Sequence, residues 1–403
     1  MILQTLFRFP NKTLTMNSQT TLMSILVLNA GSSSLRFCVF NKNLEKIYKG
    51  HIDAIGQKHC LYRHYLPTGE EQIQIKARNH KAAIHYVLKA LTKHGIVKDL
   101  SSIKKVGHRV VHGGEKFTQP LLINAKNLKE LSALAPLAPL HNPANIETLK
   151  ACLKALPKAK HVAVFDTAFH STLPSKAFLY GLPYELYEKE HLRRYGFHGT
   201  SHKYVSGVAT KLLKKPSAKL LTCHIGNGVS IAAIQKGICL DTTMGYTPLE
   251  GPLMGTRSGT VDPGLVLELV KKRGLKKTEQ LLQKESGFKG LSGLGSDVRT
   301  LWAQPKHPGT LRTFEVFSYQ MAKLLCSNFA TLSGLPDAIV FTAGIGENAY
   351  YLRKQILDYL KPFGFVLDEK ANKANKLVIS STKSKIKAFV IPTEEELQIA
   401  REL

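Results

Sequence analysis

The sequence predicts an α/β protein with mixed sheets and two domains, on three observations. The 403 residues exceed the size at which a single hydrophobic core stops growing. Short apolar runs rich in β-branched residues alternate with segments of helical periodicity. An apolar run, a glycine-rich turn and a second apolar run occur twice, at 24–41 and 220–234, so we expect two related halves.

The hydrophobic pattern predicts each element in turn. The run SILVLNA at 24–30, a Gly-Ser turn at 31–34 and the run 35–41 predict the first hairpin; LLTCHI, a Gly-Asn-Gly turn and VSIAAI predict the second. Helices are expected at 80–94, 143–155, 200–214, 263–273, 311–333 and 347–360, and further strands at 160–167 and 337–343.

Two segments interrupt this pattern. Residues 171–190 are less regular and contain Pro174 and Pro183, so we expect the domain boundary there. Residues 1–22 have a short apolar stretch without a small-residue cleavage pattern, which fits a secretory signal poorly. We interpret them as an N-terminal extension from an early start site, with an organelle-targeting segment as the alternative.

Composition narrows the classes of function. Lys and Arg exceed Asp and Glu by 56 − 29 = 27, which attracts nucleic acid, acidic lipid or anionic substrates. The Lys-rich runs lack interleaved aromatics and are interpreted as solvated faces, so neither a nucleic-acid nor a membrane partner is expected. No apolar run approaches about 18 residues. Six scattered cysteines without a CxxC pair are typical of reduced thiols in a cytoplasmic protein.

Three glycine-rich turns follow apolar runs, namely 29–34, 226–228 and 344–348. Glycine lets backbone N–H groups face a ligand, and Ser or Asn adds neutral donors, as polyphosphate binding requires. The alternative for each segment is an ordinary turn. None has the Walker lysine or the GxGxxG spacing, which argues against a P-loop or dinucleotide-binding enzyme.

Four charged or titratable positions stand out beside these turns. Arg109 in GHRVVHGGE and Arg257 in MGTRSG could each grip a carboxylate or phosphate, or form a structural ion pair. Asp166 ends a strand run, where it could hold Mg²⁺ or cap a turn. His198 in GFHGTSH could donate to a phosphoryl oxygen or be a satisfied core histidine. Zinc is disfavoured there because the sequence after His198 indicates a loop and a helix N-cap.

Nine segments together carry a resemblance to a known family: VLNAGSSSLRF, GHRVVHGGE, LAPLHNPANI, VFDTAFH, YGFHGTSH, HIGNGVSIAAI, MGYTPLEGPLMGTRSG, FTAGIGEN and VIPTEEEL. In this order, across residues 23–403, they resemble the acetate kinase family. The resemblance implies the duplicated two-domain fold of actin and the sugar kinases, with ATP in an interdomain cleft. Domain I would be 23–169 plus 395–403, and domain II, with the nucleotide-binding loops, 170–394.

The resemblance also implies an activity. A kinase of this family would transfer the γ-phosphoryl of ATP to acetate by direct in-line displacement, giving acetyl phosphate and ADP reversibly, with Mg²⁺ or Mn²⁺. This reaction serves acetyl-CoA biosynthesis, and the resemblance implies a cytoplasmic homodimer. The implied catalytic residues are Asp166, Arg109, Arg257, His198 and Asn227, with His198 and Arg257 stabilising the transition state.

The remaining implied roles are binding roles. Acid binding would involve Arg109, Val111, Leu140, Phe197 and Pro248, supported by His141 and His202, and the metal would be organised by Asn29 and Glu395. The implied ATP-binding residues are Arg36, Ser32, Ser34, His224, Gly226, Asn227, Gly228, Asp297, Val298, Arg299, Gly344, Ile345, Gly346 and Asn348.

Three positions depart from the family pattern: Arg36 replaces a usual Lys, Ala144 a usual Pro and Glu394 a usual Asn. None of them removes a proposed catalytic group. The nearest alternative is a kinase for propionate or another short acid, since only the pocket volume would differ. Alternatives of another class are an ATP-binding regulatory module of the same fold and a basic RNA-binding protein. The sequence lacks the signatures expected for either of them.

Overall fold

The computed structural model describes residues 23–66, 69–139 and 141–403, which form two compact units. Unit 1 contains the described residues up to 110 together with 120–164 and 399–403, and unit 2 contains 111–119 and 165–398. The N-terminal extension 1–22 and Leu140, which was expected in the acid pocket, lie outside the described residues.

Unit 1 is built on an eight-stranded sheet in the order β5-β4-β3-β2-β1-β6-β8-β7. Its strands are β1 (Ser24–Ala30), β2 (Leu35–Phe40), β3 (Lys46–Asp53), β4 (Cys60–Leu66), β5 (Gly69–Ile75), β6 (Ile103–Val110), β7 (Leu121–Leu122) and β8 (Lys160–Phe165). β1 pairs antiparallel with β2 and parallel with β6, so the sheet is mixed, and the hairpin predicted at 24–41 is confirmed.

Three helices belong to unit 1: α1 (His80–Lys93), α2 (Ala125–Ala133) and α3 (Asn142–Ala155). α1 begins where the side chain of Asn79 accepts a hydrogen bond from the Ala82 amide, which satisfies one of the free amides of the first turn. Its buried Ile84, Val87 and Leu91 recur at helical spacing and pack with the buried residues of β1 to β4 in one core. The helices expected at 80–94 and 143–155 are therefore confirmed to within one residue.

Unit 2 contains a five-stranded sheet in the order β11-β10-β9-β12-β13. Its strands are β9 (Lys219–Ile225), β10 (Val229–Gln235), β11 (Ile238–Thr242), β12 (Ala338–Thr342) and β13 (Lys387–Val390). An antiparallel meander of three strands continues into two parallel strands beside the first of them. The part β3-β2-β1-β6-β8 of the first sheet has the same order, which confirms the two related halves expected from the repeated hairpin.

The helices of unit 2 connect and cover its strands. They are α4 (Ser175–Phe178), α5 (Tyr184–Glu190), α6 (Gly199–Leu213), α7 (Pro263–Arg273), α8 (Leu275–Gln280), α9 (Gly287–Ser292), α10 (Val298–Trp302), α11 (Pro308–Thr331), α12 (Ala343–Asn348), α13 (Tyr350–Asp358) and α14 (Glu369–Lys373). A last helix, α15 (Glu395–Arg401), ends the chain. Single 3₁₀ turns occupy Leu100–Ser102, Ala135–Leu137, Ala168–His170 and Lys361–Phe363, and a π-helical turn occupies Leu281–Glu285.

The local sequence explains where these helices begin and end. α7 starts with the cap Asp262 and with Pro263, carries three basic residues in its last turn and stops at Gly274, so the predicted 263–273 is confirmed. α11 begins at Pro308, three residues before the expected 311, because His307 caps the helix: its side chain accepts a hydrogen bond from the Gly309 amide. α6 begins at Gly199, with His198 in the cap position, so the residues expected to cap it lie inside its first turn.

The segment 344–348 was expected to be a glycine-rich turn, and this expectation was wrong. It lies in α12, a helix that follows β12 directly and begins at Ala343, whose φ of 64° turns the chain sharply. The expected helix 347–360 is accordingly divided into α12 and α13. Glycine and asparagine favour turns, but hydrogen bonds along the chain at a strand's end can stabilise a short helix regardless.

The carboxyl end of the chain packs on the middle of β6 within unit 1. A Cβ at Gly107 would lie 2.7 Å from Ile399 Cγ2, so this strand position lacks a side chain where the C-terminal residues pack. Lys105 Nζ donates to the Leu403 oxygen at 2.7 Å. No helix among the described residues is long and apolar enough to cross a membrane. No disulfide joins the six cysteines, all of which lie among the described residues.

Several histidines are buried in an environment that disfavours their charged form. Burial lowers the pKa of His108 to about 3, with a further contribution from the neighbouring His161. Burial also lowers the pKa of His112 and of His170 to about 4. For His202, burial and the nearby His170 and His224 hold the pKa well below its ordinary range. These rings are therefore neutral in the folded protein at neutral pH.

We expect stability to fall as the pH is lowered from about 7 to about 5. In the unfolded chain these rings have pKa values of about 6.5, so their contribution to stability is complete above that pH and is lost toward the lower folded pKa values. Each ring contributes a slope of up to about 1.4 kcal/mol per pH unit.

The midpoint of thermal unfolding against pH measures this effect. His170→Asn should flatten the profile, since it removes one buried ring. His85→Gln, which replaces an exposed histidine on α1, should leave the profile unchanged. A midpoint that is equal at both ends of the pH range would contradict the prediction.

Candidate active site

In unit 1, Asn29, Arg36 and Arg109 lie side by side on three adjacent strands. The register pairs Asn29 of β1 with Arg36 of β2 on one side and with Arg109 of β6 on the other. Arg109 Nη1 donates to Asn29 Oδ1 at 2.9 Å, which orients both side chains. Arg36 is exposed and Arg109 is half-buried. This row is a cationic group suited to binding an anion.

The serine turn follows directly from that row. Ser32 is exposed and Ser34 is half-buried, and the turn is closed by the Gly31 amide, which donates to the Ser34 oxygen at 2.8 Å. A Cβ at Gly31 would lie 2.7 Å from Ser34 Oγ, so the tight turn requires glycine there. The two serine hydroxyls are thus available as neutral donors beside Arg36.

Two side chains that the sequence reasoning missed hold this turn in place. His80 contacts the Gly31 carbonyl oxygen through Nε2 at 2.8 Å, and Asn145 Nδ2 donates to the Ala30 carbonyl oxygen at 2.6 Å. His80 begins α1 and Asn145 lies in α3, so the two helices fix the turn from outside the sheet. Both residues follow the turn in the chain, 49 positions after Gly31 and 115 positions after Ala30, so spacing alone could not indicate the contacts.

In unit 2, Asp166 follows β8 and is only 1% exposed. The Gly199 amide donates to the Asp166 carbonyl oxygen at 2.9 Å. A Cβ at Gly199 would overlap that oxygen, so glycine is required for the close approach of α6 to the end of the strand. Asp166 thereby lies next to the segment that contains His198.

His198 and Arg257 meet at one glycine. A Cβ at Gly228 would lie 3.1 Å from His198 Nε2 and 3.3 Å from Arg257 Nη1, so both donor-bearing atoms border this residue. His198 has φ 58° and ψ 23°, a left-handed conformation that non-glycine residues adopt at a cost. Burial lowers the pKa of Arg257, but an arginine stays charged at neutral pH.

The neighbours of Arg257 and Gly228 complete this group. Arg257 Nη1 donates to the Pro248 carbonyl oxygen at 2.9 Å. The Gly255 amide donates to the Asn227 carbonyl oxygen at 3.0 Å, and the Asn227 side chain lies where a Cβ at Gly255 would be. The structure therefore brings together five residues singled out in the sequence: His198, Asn227, Gly228, Pro248 and Arg257.

A chain of buried hydroxyl and imidazole groups lies behind His198. His198 Nδ1 is 2.9 Å from Ser230 Oγ, which is 2.8 Å from His202 Nε2. His202 Nδ1 is in turn 2.7 Å from Thr222 Oγ1. Both nitrogens of His202 are thus engaged with hydroxyls, which argues against a zinc site at this pair. Sequence reasoning missed Ser230 and Thr222, because strand alternation does not reveal which helix covers them.

His224 stacks on His198, with ring centroids 4.0 Å apart and planes at 23°. Its Nδ1 is 2.9 Å from Ser201 Oγ, which is itself 2.9 Å from Thr393 Oγ1. A Cβ at Gly226 would lie 3.6 Å from His224 Nε2. His224 and Gly226 are therefore continuous with the group around His198.

The apolar residues expected around the acid are partly accounted for. Val111 and Phe197 are buried, and Pro248 is half-buried. Phe197 meets the ring of His112, the residue after Val111, edge-on at 5.6 Å. Phe197 also precedes His198 directly, and Pro248 accepts from Arg257, so these residues lie in the same part of unit 2 as the group around His198.

The residues expected near the nucleotide occupy two segments of unit 2. Asp297 caps α10 and forms an ion pair with Arg299, with Oδ2 and Nη2 2.7 Å apart; the hydrogen bonds from Arg299 lower the pKa of Asp297. Val298 between them is buried. The other segment is α12, in which Asn348 Nδ2 donates to the Gly344 oxygen at 2.9 Å.

Within α12 the two glycines differ. No atom lies within 4 Å of a Cβ built at Gly344, so its backbone is open to a ligand. Gly346 is buried, and a Cβ there would lie 3.5 Å from Ile225 Cβ. Ile345 between them is half-buried. This arrangement leaves one exposed backbone face at the start of the helix.

Arg353, which the sequence reasoning did not single out, holds the backbone of α12 in place from its buried side. It is 1% exposed and donates to the Gly346 oxygen at 2.8 Å. Three further acceptors surround it: Asn372 Oδ1 at 2.9 Å, the Asn372 oxygen at 2.8 Å and Asn375 Oδ1 at 2.6 Å. Burial lowers its pKa to about 10, so the guanidinium remains charged at neutral pH.

Two carboxylates of unit 2 are suited to a hard divalent cation. Asp166 follows β8, and Glu395 is the first residue of α15. Near Glu395, the Thr393 amide donates to Glu347 Oε1 at 3.1 Å, and burial raises the pKa of Glu347. Carboxylate oxygens are the ligands that Mg²⁺ prefers, so the donor types fit such an ion.

Comparisons with known proteins agree with these motifs. The acetokinase family profile matches residues 24–401. The acetate kinase of Thermoanaerobacter pseudethanolicus is 48% identical over 394 residues, covering 94% of this chain and 98% of that protein.

Two solved structures have the same fold across 94% of this chain and 98% of theirs. The crystal structure of Porphyromonas gingivalis acetate kinase is 38% identical with a TM-score of 0.88. That of a propionate kinase from Francisella tularensis subsp. tularensis SCHU S4 is 39% identical with a TM-score of 0.89. The fold class expected from the resemblance is thereby confirmed.

We expect Arg353→Met to lower the free energy of unfolding by at least about 2 kcal/mol, because buried acceptors lose their donor. Arg353→Lys should restore only part of this loss, since an ammonium group cannot reach acceptors arranged around a planar fork. Urea unfolding monitored by circular dichroism measures the change.

The matched control is Arg312→Met on α11, where the arginine is exposed and donates to the Leu291 oxygen. It should change stability by less than about 0.5 kcal/mol. Equal effects of Arg312→Met and Arg353→Met would refute the role assigned to Arg353.

Proposed function

The chain belongs to the acetokinase family, and from that membership we propose that it is an acetate kinase. It transfers the γ-phosphoryl group of ATP to the carboxylate of acetate by in-line displacement, giving acetyl phosphate and ADP, and runs in both directions. The observation that carries the proposal is that His198 Nε2 and Arg257 Nη1 both border Gly228, next to Asn227. This group offers two donors and a bare backbone to one phosphoryl group.

The chemistry requires positive potential more than proton transfer. A carboxylate is already a nucleophile at neutral pH, so no general base is needed. The barrier lies in bringing two anions together and in stabilising charge on the equatorial phosphoryl oxygens. Arg257, charged and half-buried, interacts more strongly with developing charge than an exposed lysine would.

The hydroxyl and imidazole chain supplies the correct tautomer of His198. We assign Thr222 as donor to His202 Nδ1, His202 Nε2–H as donor to Ser230, and the Ser230 hydroxyl as donor to His198 Nδ1. The separations of 2.7, 2.8 and 2.9 Å are hydrogen-bond distances, and this assignment gives each contact one donor and one acceptor. The proton of a neutral His198 then resides on Nε2, the atom that faces Gly228, where it can donate to a phosphoryl oxygen.

The row of unit 1 supplies the remaining anion contacts in this proposal. Arg109, oriented by Asn29, is assigned to the carboxylate of the acid and to the phosphoryl group. Arg36, Ser32 and Ser34 are assigned to the polyphosphate, for which their exposure next to one turn is suitable. Arginine suits the carboxylate because its planar fork can form two parallel hydrogen bonds.

Adenosine is assigned to two segments of unit 2, namely α12 and the residues 297–299. The open backbone at Gly344, with Ile345, Gly346 and Asn348 behind it, is suited to the base and ribose. Asp297, Val298 and Arg299 border the nucleotide in this assignment, and Asp297 and Arg299 are joined by an ion pair. His224 and Gly226, beside His198, are assigned to its phosphates.

Mg²⁺, or Mn²⁺ in its place, is the metal of the proposed reaction. Asp166 and Glu395 would hold it, directly or through water, with Asn29 as a further oxygen ligand. Bound there, the ion would neutralise phosphate charge and orient the γ-phosphoryl group. Asn29 Oδ1 already accepts from Arg109, but a carbonyl oxygen has a second lone pair for a water or an ion.

The setting of the enzyme completes the proposal. We assign domain I to 23–169 with 395–403 and domain II to 170–394, and we propose a cytoplasmic homodimer that serves acetyl-CoA biosynthesis. Val111, Phe197 and Pro248, with Leu140, are assigned to the pocket for the methyl group. Propionate kinase is the second candidate, since a propionate kinase structure shares the fold at 39% identity.

Trapping of the acyl phosphate with hydroxylamine tests the function directly. We expect ATP- and Mg²⁺-dependent hydroxamate formation, with kcat/KM highest for acetate and lower for propionate and butyrate. One methylene changes discrimination by about 10–200-fold in a small apolar pocket. A preference for propionate would select the second candidate, and no hydroxamate from any acid would end the proposal.

For Arg257→Ala we expect turnover to fall by about 10²–10³ with nearly unchanged ATP binding, because its partner gains charge only during transfer. Steady-state kinetics and equilibrium titration with ATP separate the two effects. Arg273→Ala, at the exposed end of α7, is the matched control and should retain full turnover. A near-normal kcat for Arg257→Ala would contradict the role of this arginine.

A further inference from the structure

A group of three metal-ligating side chains lies in unit 1 among residues that the proposed reaction does not use. His64 belongs to β4, Glu71 to β5, and His94 follows the last residue of α1. One ligand atom from each lies within 4.8 Å of those of the other two. Among the residues that the structure describes, no other set of three His, Cys, Asp or Glu side chains meets this condition.

The sheet register creates the group. His64 and Glu71 are directly paired across the antiparallel strands β4 and β5, so their side chains point to the same face. His94 approaches from the end of α1, and its ring centroid lies 4.9 Å from that of His64. Two neighbouring strands and the end of a helix therefore meet at the edge of the sheet.

The ring of His64 is fixed before any ligand binds. Tyr48 Oη lies 2.6 Å from its Nδ1, and the Tyr62 ring stacks on it with centroids 4.9 Å apart and planes at 24°. A partner on one ring nitrogen fixes the ring orientation and directs the other nitrogen toward a metal, as in many metal sites. In His64 that other nitrogen is Nε2.

The His64 side chain is 0% exposed, so its Nε2 atom is buried, and this atom has no hydrogen-bond partner. Leaving such an atom unsatisfied is unfavourable. Glu71 Oε2 lies 3.3 Å away without forming a hydrogen bond. Two ligands at tetrahedral angles on an ion, with bonds of about 2.0–2.2 Å, are separated by about 3.4 Å, which is close to the observed spacing.

We propose that His64, Glu71 and His94 form a binding site for a borderline divalent transition metal, with Zn²⁺ as the reference ion. Two imidazoles and one carboxylate suit Zn²⁺, and a water would complete four-coordination. Mg²⁺ prefers oxygen ligands, so this site is distinct from the metal of the phosphoryl transfer. Lys93 is adjacent in the chain but exposed, so solvent screens its charge.

A metal bound at this site would hold the edge of the sheet in place. β5 is the edge strand of its sheet, and only one side of it is paired with another strand. A metal shared between β4, β5 and the end of α1 would fasten this edge to the helix. The predicted role is therefore local stabilisation, independent of nucleotide or acid.

Zn²⁺ titration of the untagged full-length protein, by competition with a chromophoric chelator and without nucleotide, tests the site. We expect one Zn²⁺ per chain at this site, bound about 100-fold or more weakly by Glu71→Gln and by His94→Gln, since even outer partners of a metal site change affinity by about 10–100-fold. His85→Gln, an exposed histidine on the same helix, should bind as the wild type does. Millimolar Mg²⁺ should not compete.

A second measurement compares each protein with itself, in the presence and absence of Zn²⁺, so a difference in stability between variants does not affect it. Zn²⁺ should raise the midpoint of thermal unfolding of the wild-type protein and of His85→Gln, but not that of Glu71→Gln. Equal Zn²⁺ affinity in all four proteins would overturn the proposal. So would a wild-type midpoint insensitive to Zn²⁺, which would identify His64 and Glu71 as an ion pair only.

Discussion

The close approach of Gly199 to the Asp166 carbonyl oxygen is the constraint on which the arrangement of unit 2 depends. One hydrogen bond of 2.9 Å joins the end of β8 to the first residue of α6, and only glycine leaves room for it. Because α6 starts there, His198 must occupy the cap in a left-handed conformation. That conformation in turn directs the imidazole toward Ser230 on one side and Gly228 on the other.

The polar groups behind His198 show how a buried histidine can be both neutral and oriented. Burial makes charge on His202 unfavourable, and its two hydroxyl partners satisfy both ring nitrogens. A fully satisfied network in a low-dielectric interior is rigid, whereas a partly satisfied one would be costly. Rigidity of this kind is what a site acting through preorganised donors requires.

The basic composition has a simple counterpart in the structure. Many lysines are exposed, while Arg109 and Arg257 are half-buried and Arg353 is buried, each beside backbone or amide acceptors. Arg353 and Arg257 both donate to carbonyl oxygens rather than to carboxylates in the bonds that define their positions. The Arg353 guanidinium joins α12 to the segment around Asn372, and the Arg257 guanidinium holds the Pro248 carbonyl oxygen.

The sequence by itself determined the α/β class, the repeated hairpin and the residue types of an anion-binding site. These follow from periodicity, from glycine beside strands and from local caps such as Asp262, all of which act over a few residues. It also identified Asn29, Arg109, His198 and Arg257 as individual candidates, on motifs that the family comparison supports.

Only the tertiary structure decided which of these residues touch and what supports them. The contacts of Ser230 with His198 and His202, of Asn145 with Ala30 and of His94 with His64 all join segments far apart in the chain. Local propensity is worth less than about 1 kcal/mol per residue, and such long-range packing and hydrogen bonding override it.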